Sequence, residues 1–177
     1  MKILAVPGSL RQKSMNRTLL EAAIKLAPEG MTITLYDGIG LLPHFNPDLE
    51  MELPSEVMGL KKRIRESDGL LISSPEYAHG VPGSLKNALD WLVGGSEVVG
   101  KPVALLDAST RSHYAQDSLV EILKTMSARV VVEAFARVPL LGRELSVGEV
   151  VGDPPKQKEL RRALEAFQRA LKQKERA

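Results

Sequence analysis

Ten consecutive residues, Pro7-Gly8-Ser9-Leu10-Arg11-Gln12-Lys13-Ser14-Met15-Asn16, gather the groups that an oxyanion needs. Gly8 lets the backbone turn, Ser9 and Ser14 bring hydroxyls, Arg11 a guanidinium fork and Asn16 an amide. The apolar spacing that follows starts a helix here, and its N-terminus adds unpaired N–H groups and a partial positive charge. Charge-assisted hydrogen bonds contribute about 1.5–3 kcal/mol each, against roughly 0.3–1 kcal/mol for an exposed helix dipole, so Arg11 would dominate. The stretch is neither a G-x-x-x-x-G-K-[ST] loop nor a G-x-G-x-x-G fingerprint. The plainer alternative is that Ser14 or Asn16 caps the helix with Arg11 in solvent. Capping needs one such residue; the number of polar groups present favours a phosphate site.

A second stretch, Ser73 to Trp91, reads SSPEYAHGVPGSLKNALDW. It follows Gly69-Leu70-Leu71-Ile72, short enough and well enough bounded to be a buried strand. Pro75 and Pro82 restrict the loop between them, which presents Glu76, Tyr77, Ala78, His79 and Gly80. Loops at the carboxyl ends of strands are where open α/β sheets bind ligands. The alternative, a connection that needs its prolines and glycine only to turn, stays open on this stretch alone.

The remaining chain must position these two loops. Lys2 to Val6 reads as a strand. Leu19, Leu20, Ala23, Ile24 and Ala27 mark one face of a helix ending by Pro28 and Gly30. Thr32 to Tyr36 is β-rich and alternating. Val57, Leu60 and Ile64 place a helix before the Gly69 to Ile72 strand, and Leu85, Leu89 and Leu92 another after it. Pro102 to Leu106 is a fourth strand, Leu119, Ile122, Leu123 and Met126 a fourth helix, and Arg129 to Phe135 a fifth strand. Asp153 caps the last helix with Pro154 in its first turn, buried through Leu160, Leu164, Phe167 and Leu171. Five strands alternating with five helices give an α/β three-layer sandwich with helices on both faces of a parallel sheet. The commonest order for five such strands is the flavodoxin-like 2-1-3-4-5, which makes strands one and three neighbours at the switch point. With no internal repeat or composition break, residues 1–177 are expected to form one domain.

Composition excludes several classes. The chain has 177 residues, 44% hydrophobic and 26% charged, ordinary for a globular domain. A net charge of +2 does not suggest a nucleic-acid partner. No apolar run approaches a membrane span, and the start is not a signal peptide, so a cytoplasmic location is expected. The chain contains no cysteine, which removes disulfides, thiolate metal sites and a cysteine nucleophile. His44, His79 and His113 lack metal-ligand spacing, so no metal is expected. Arg161, Arg162, Lys172 and Lys174 read as a solvated face of the last helix.

G-S-L-R-x-x-S-x-N followed by P-E-Y-x-x-x-x-P-G-x-L-K-N-A-L-D-W resembles the NADPH-dependent FMN reductase family, a flavodoxin-like group that includes quinone, chromate and azo-dye reductases. The resemblance runs from about Lys2 through Arg137. It implies bound FMN, NADPH or NADH as electron donor, and transfer onward to an acceptor such as free flavin, a quinone, chromate or an azo compound. Ser9, Arg11, Ser14 and Asn16 would bind the FMN phosphate, with Met15 as a further cofactor contact. Pro75, Glu76, Tyr77, Ala78 and Gly80 would line the ribityl chain and the ring, with Ser109 and Arg111 in the third loop as further contacts. Since the cofactor carries the chemistry, no catalytic residue is expected. The chain departs from the family where Ala78 replaces a common asparagine and where Ala108 to Gln116 lacks a glycine pair. Family members form dimers or tetramers, so a homo-oligomer is expected; Trp91 and Leu92 either serve that interface or lie buried within the chain.

Three other readings compete. A response-regulator module needs aspartates at the ends of strands one and three, where this chain has Val6-Pro7-Gly8 and Ser73-Ser74-Pro75. A hydrolase using Ser9, with His113 and Asp107 or Asp117, lacks the G-x-S-x-G elbow. A non-enzymatic electron carrier or flavin-binding sensor is the stronger rival, and nicotinamide-driven reduction of a bound flavin separates it from an enzyme.

Overall fold

The computed structural model describes residues 1–110, 113–140 and 145–174. Its sheet runs in the order β2-β1-β3-β4-β5, all pairs parallel. The strands are β1 (Lys2–Pro7), β2 (Thr32–Leu35), β3 (Gly69–Ser73), β4 (Pro102–Asp107), β5 (Arg129–Val130) and β6 (Ala136–Arg137). The expected α/β flavodoxin-like order is therefore present.

Both faces of the sheet are covered, because the central strands are apolar on each side. Ile3, Ala5, Leu71, Ala104 and Leu106 face α1 (Met15–Lys25), α5 (Val147–Gly152) and α6 (Pro154–Lys174). Leu4, Val6, Leu70, Ile72, Val103 and Leu105 face α2 (Ser55–Arg65), α3 (Gly83–Val93) and α4 (Tyr114–Thr125). Among the described residues no helix is long and apolar enough to cross a membrane.

Three sequence expectations need correction. The fifth strand does not run from Arg129 to Phe135. After Val130 the chain leaves the ladder in a 3-10 turn, Val132–Ala134, and rejoins β4 at Ala136. The Glu133 and Phe135 carbonyls that the turn withdraws from the sheet accept instead from the Arg162 guanidinium of α6. Arg162 is thus not merely part of a solvated helix face, although Arg161 and Lys172 are exposed. The side chain of Lys174 lies outside the described residues. Finally, the helix α5 was not among the five expected; a capping box between Ser146 and Glu149 opens it. The last helix does start as read, with the Lys156 N–H donating to Asp153 Oδ1 (3.1 Å) and Pro154 as its first residue.

Trp91 is buried at 2% exposure within the chain. Its Nε1–H donates to the Pro43 carbonyl (2.8 Å), and Phe45 packs edge-on against its ring. Asn87, one helical turn earlier, donates to the same carbonyl and accepts from the Phe45 N–H. The K-N-A-L-D-W segment therefore clasps the proline-rich connection after β2. Leu92 is likewise buried, so both residues take the intrachain alternative.

Candidate functional site

Parallel pairing decides which loops meet. Pro7 lies opposite Ser73, and Ser73 opposite Leu106, so β1, β3 and β4 end in one row at one edge of the sheet. The first loop (8–14), the second (74–82) and the start of the third (108–110) follow from that edge.

The first and second loops touch directly. The Gly8 N–H donates to the Ser73 carbonyl (2.8 Å) and extends the ladder by one step. A Cβ on Gly8 would lie 2.4 Å from Ser74 Oγ and 2.9 Å from Ser74 Cα, so only glycine permits this approach. The Ser73 hydroxyl, wholly buried, donates to Asn16 Oδ1 at 2.9 Å. That bond orients the Asn16 amide and leaves its nitrogen as the donor side.

Ser9, Ser14 and Asn16 are all buried at the start of α1. Ser14 occupies the N-cap position yet makes no side-chain capping bond, and no acidic residue lies in the first turn. The simple-capping alternative is therefore not what the fold adopts. The Arg11 N–H donates to Ser9 Oγ at 3.3 Å, tightening the loop, while the Arg11 side chain stays exposed. Met15 is half-buried and packs toward the core rather than into the loop. On the far flank of the loop, a cleft of about 390 Å³ opens between Arg11, Tyr36, Asp37 and Leu41. Arg17 is paired there with Asp37 and Glu21.

The second loop is a tight hairpin. Tyr77 and Gly80 exchange N–H···O bonds of 3.1 and 2.9 Å around Ala78 and His79, whose φ values are +49° and +60°. Two left-handed central residues make a type I′ turn, a geometry that favours Asn and Gly. Tyr77, which flanks the turn, is 52% exposed. Glu76 turns the other way: its Oε2 accepts from the Ala115 N–H at 2.9 Å. The His79 ring stacks on Tyr114, with centroids 4.3 Å apart.

The third loop is fixed at its origin by Asp107. Its Oδ1 accepts from the Ser109 N–H (2.8 Å) and its Oδ2 from Arg137 Nε (3.1 Å), while Arg137 also reaches Gln116 Oε1 (3.1 Å). Burial pushes the Asp107 carboxyl above its ordinary value, and the Ser109 N–H, Arg137 and His113 offset only part of this. These partners leave Asp107 braced into the loop rather than arranged as a hydrolase helper. Arg111 lies outside the described residues; Ser109 is half-buried at the loop's start.

The fold thus joins the first loop to the second through Gly8, Asn16, Ser73 and Ser74, and the second loop to the start of α4 through Glu76 and His79. Sequence reasoning missed Ser73, Tyr114 and Arg137. Ser73 had a visible signal, a hydroxyl at the last position of an apolar strand. Arg137 had none, since its place depends on the interrupted strand.

The model of a family described as NADPH-dependent FMN reductase matches residues 1–139. The chain is 42% identical over 112 residues to a 2-hydroxy-1,4-benzoquinone reductase of Burkholderia sp., covering 62% of this chain and 61% of that protein. It is 40% identical over 129 residues to a quinone reductase of Pseudomonas putida, covering 67% and 69%. The chain spans about three fifths of the length of the curated relatives it matches first. Among solved structures, the flavoenzyme NAD(P)H:(acceptor) oxidoreductase FerB of Paracoccus denitrificans superposes with a TM-score of 0.79 at 30% identity, covering 97% of each chain.

Proposed function

Because the chain belongs to the NADPH-dependent FMN reductase family, we propose that it binds FMN across its first three loops and acts as an NAD(P)H-dependent oxidoreductase. The observation that carries this reading is the buried set Ser9, Ser14 and Asn16 at the start of α1, in the same loop as Arg11 and joined to the second loop through Ser73 and Ser74. A Ser14 hydroxyl not used as a cap, a first turn without acid and an amide nitrogen turned to donate are the donor set a phosphate monoester requires.

In this reading Arg11, Ser9, Ser14 and Asn16 hold the phosphate, with N–H groups of the first turn of α1. The hairpin around Tyr77 and the start of the third loop flank the flat ring. Held there, FMN would supply the hydride- and electron-transfer chemistry between a nicotinamide donor and an acceptor. The chain's part is to bind, orient and stabilise charge through loop N–H groups. No side chain is assigned as acid or base. Relatives named as quinone reductases make a quinone the first acceptor class to test, ahead of free flavin, chromate or azo compounds. A neighbouring copy covering the open side of the ring, in a homodimer or homotetramer, belongs to the same proposal.

The test is a visible spectrum of the purified protein with FMN, followed by anaerobic NADPH. Bleaching of a bound-flavin band, reversed by a quinone, supports the reading. A bound flavin that NADPH leaves oxidised contradicts it in favour of a carrier or sensor.

A further inference from the structure

The start of α4 carries an N–H group that the helix itself cannot satisfy. Ala115 is the second residue of Tyr114–Thr125, so no carbonyl one turn earlier reaches its N–H. The N-cap residue, His113, makes no side-chain capping bond. The acceptor comes from 39 residues away: Glu76 Oε2, on the second loop, at 2.9 Å. One residue earlier in the helix, Tyr114 stacks on His79 of the same hairpin at an interplanar angle of 24°. Two successive residues of α4 are therefore held by two residues of one loop, one through charge and one through ring contact.

We propose that Glu76 is a positioning residue, which fixes the start of α4 to the second loop and so sets the gap between the second and third loops. Described residues on both sides of the third loop are tied down, Ser109 at the end of β4 and Ala115 at the start of α4. Asp107, braced by Arg137, holds the first, and Glu76 holds the second. A carboxylate suits this place because it meets both the unpaired N–H and the positive end of the helix. Removing it frees the start of α4 while Ser109 stays tied to Asp107. Resting on the FMN reading above, this gap is where the ring is flanked, so Glu76 governs ring binding through α4 rather than by touching the ring.

The experiment uses Glu76→Ala, which removes the acceptor, and Glu76→Gln, which keeps a neutral one at the same reach. Glu76→Asp, one methylene short, replaces the alanine variant if that fails to fold. Amide hydrogen exchange at Ala115 is measured first, on protein without added flavin. The proposal expects roughly tenfold or faster exchange in Glu76→Ala and a smaller increase in Glu76→Gln, which keeps an acceptor but loses the charge. FMN affinity, absorption maximum and midpoint potential follow. Glu76→Ala should weaken FMN binding about tenfold, whereas Glu76→Gln should keep affinity, band position and potential. Unchanged exchange at Ala115 in Glu76→Ala overturns the proposal. So does a glutamine variant with a shifted flavin band and potential, since that reports direct contact with the ring. If the wild-type protein takes up no FMN, the functional reading fails, and the exchange result alone decides whether Glu76 holds α4.

Discussion

The Ser73 hydroxyl and the Asn16 carbonyl oxygen, 2.9 Å apart and shielded from solvent, join the end of β3 to the first turn of α1. This bond commits the Asn16 amide oxygen as acceptor and leaves its nitrogen as the donor. Ser73→Ala leaves a buried acceptor unpaired, a loss of about 1–3 kcal/mol. A urea-unfolding midpoint should fall accordingly, and FMN affinity should fall with it. A midpoint within error of wild type would show that the bond contributes nothing.

Gly8 and Gly40 offer a contrast in one pair of substitutions. A methyl on Gly8 meets Ser74 Cα, which is backbone and cannot yield, whereas a methyl on Gly40 meets the tip of the exposed Leu10 at 3.0 Å. Gly8→Ala should cost about 1–3 kcal/mol and impair FMN binding. Gly40→Ala should leave FMN binding unchanged. Equal effects of the two on FMN affinity would contradict the close approach of the first two loops.

Ala78 holds a backbone conformation that alanine disfavours, with φ at +49°. Replacing it by glycine should raise stability by about 1 kcal/mol, and asparagine should gain part of that. Valine, branched at Cβ, should lower it. Thermal unfolding of the three variants checks the order Gly, Asn, Ala, Val, and a valine variant as stable as wild type would contradict the turn geometry.

Burial raises the Asp107 carboxyl above its ordinary value, which has a signed consequence. Between the unfolded value of about 3.9 and the higher folded value, the native state binds more protons than the unfolded chain. Stability attributable to this group therefore falls as pH rises through that window and is flat above it. Asp107→Asn removes the titration but keeps an acceptor for the Ser109 N–H. Wild type minus variant, from urea midpoints between pH 3.5 and 7, should decrease with rising pH and then level. A difference that is flat throughout, or rises, would contradict it.

Much of this arrangement is legible in the sequence because it is local. Apolar runs bounded by glycine and proline mark β1, β3 and β4, and Asp153-Pro154 marks the start of α6. The loops follow from strand ends, and parallel topology then puts them together. What is not legible depends on distant partners. Val131 to Phe135 has strand composition, but Arg162 supplies bonds that let it turn away from β4. Ser14 has capping chemistry, yet the helix begins without using it. Glu76 stands among loop residues, but its carboxylate reaches Ala115 on another element. The left-handed pair Ala78 and His79 was masked by residue types that rarely adopt that conformation.

The central claim is that the first loop holds the phosphate of FMN, and paired titrations with FMN and riboflavin test it most directly, since riboflavin lacks only the phosphate. Flavin fluorescence should report FMN binding at least a hundredfold tighter than riboflavin, the yield of two charge-assisted bonds at about 1.5 kcal/mol each. Arg11→Ala should remove one to two decades of that preference and leave riboflavin affinity unchanged. Equal affinity for the two flavins in the wild-type protein, or a preference that survives Arg11→Ala intact, would contradict the account.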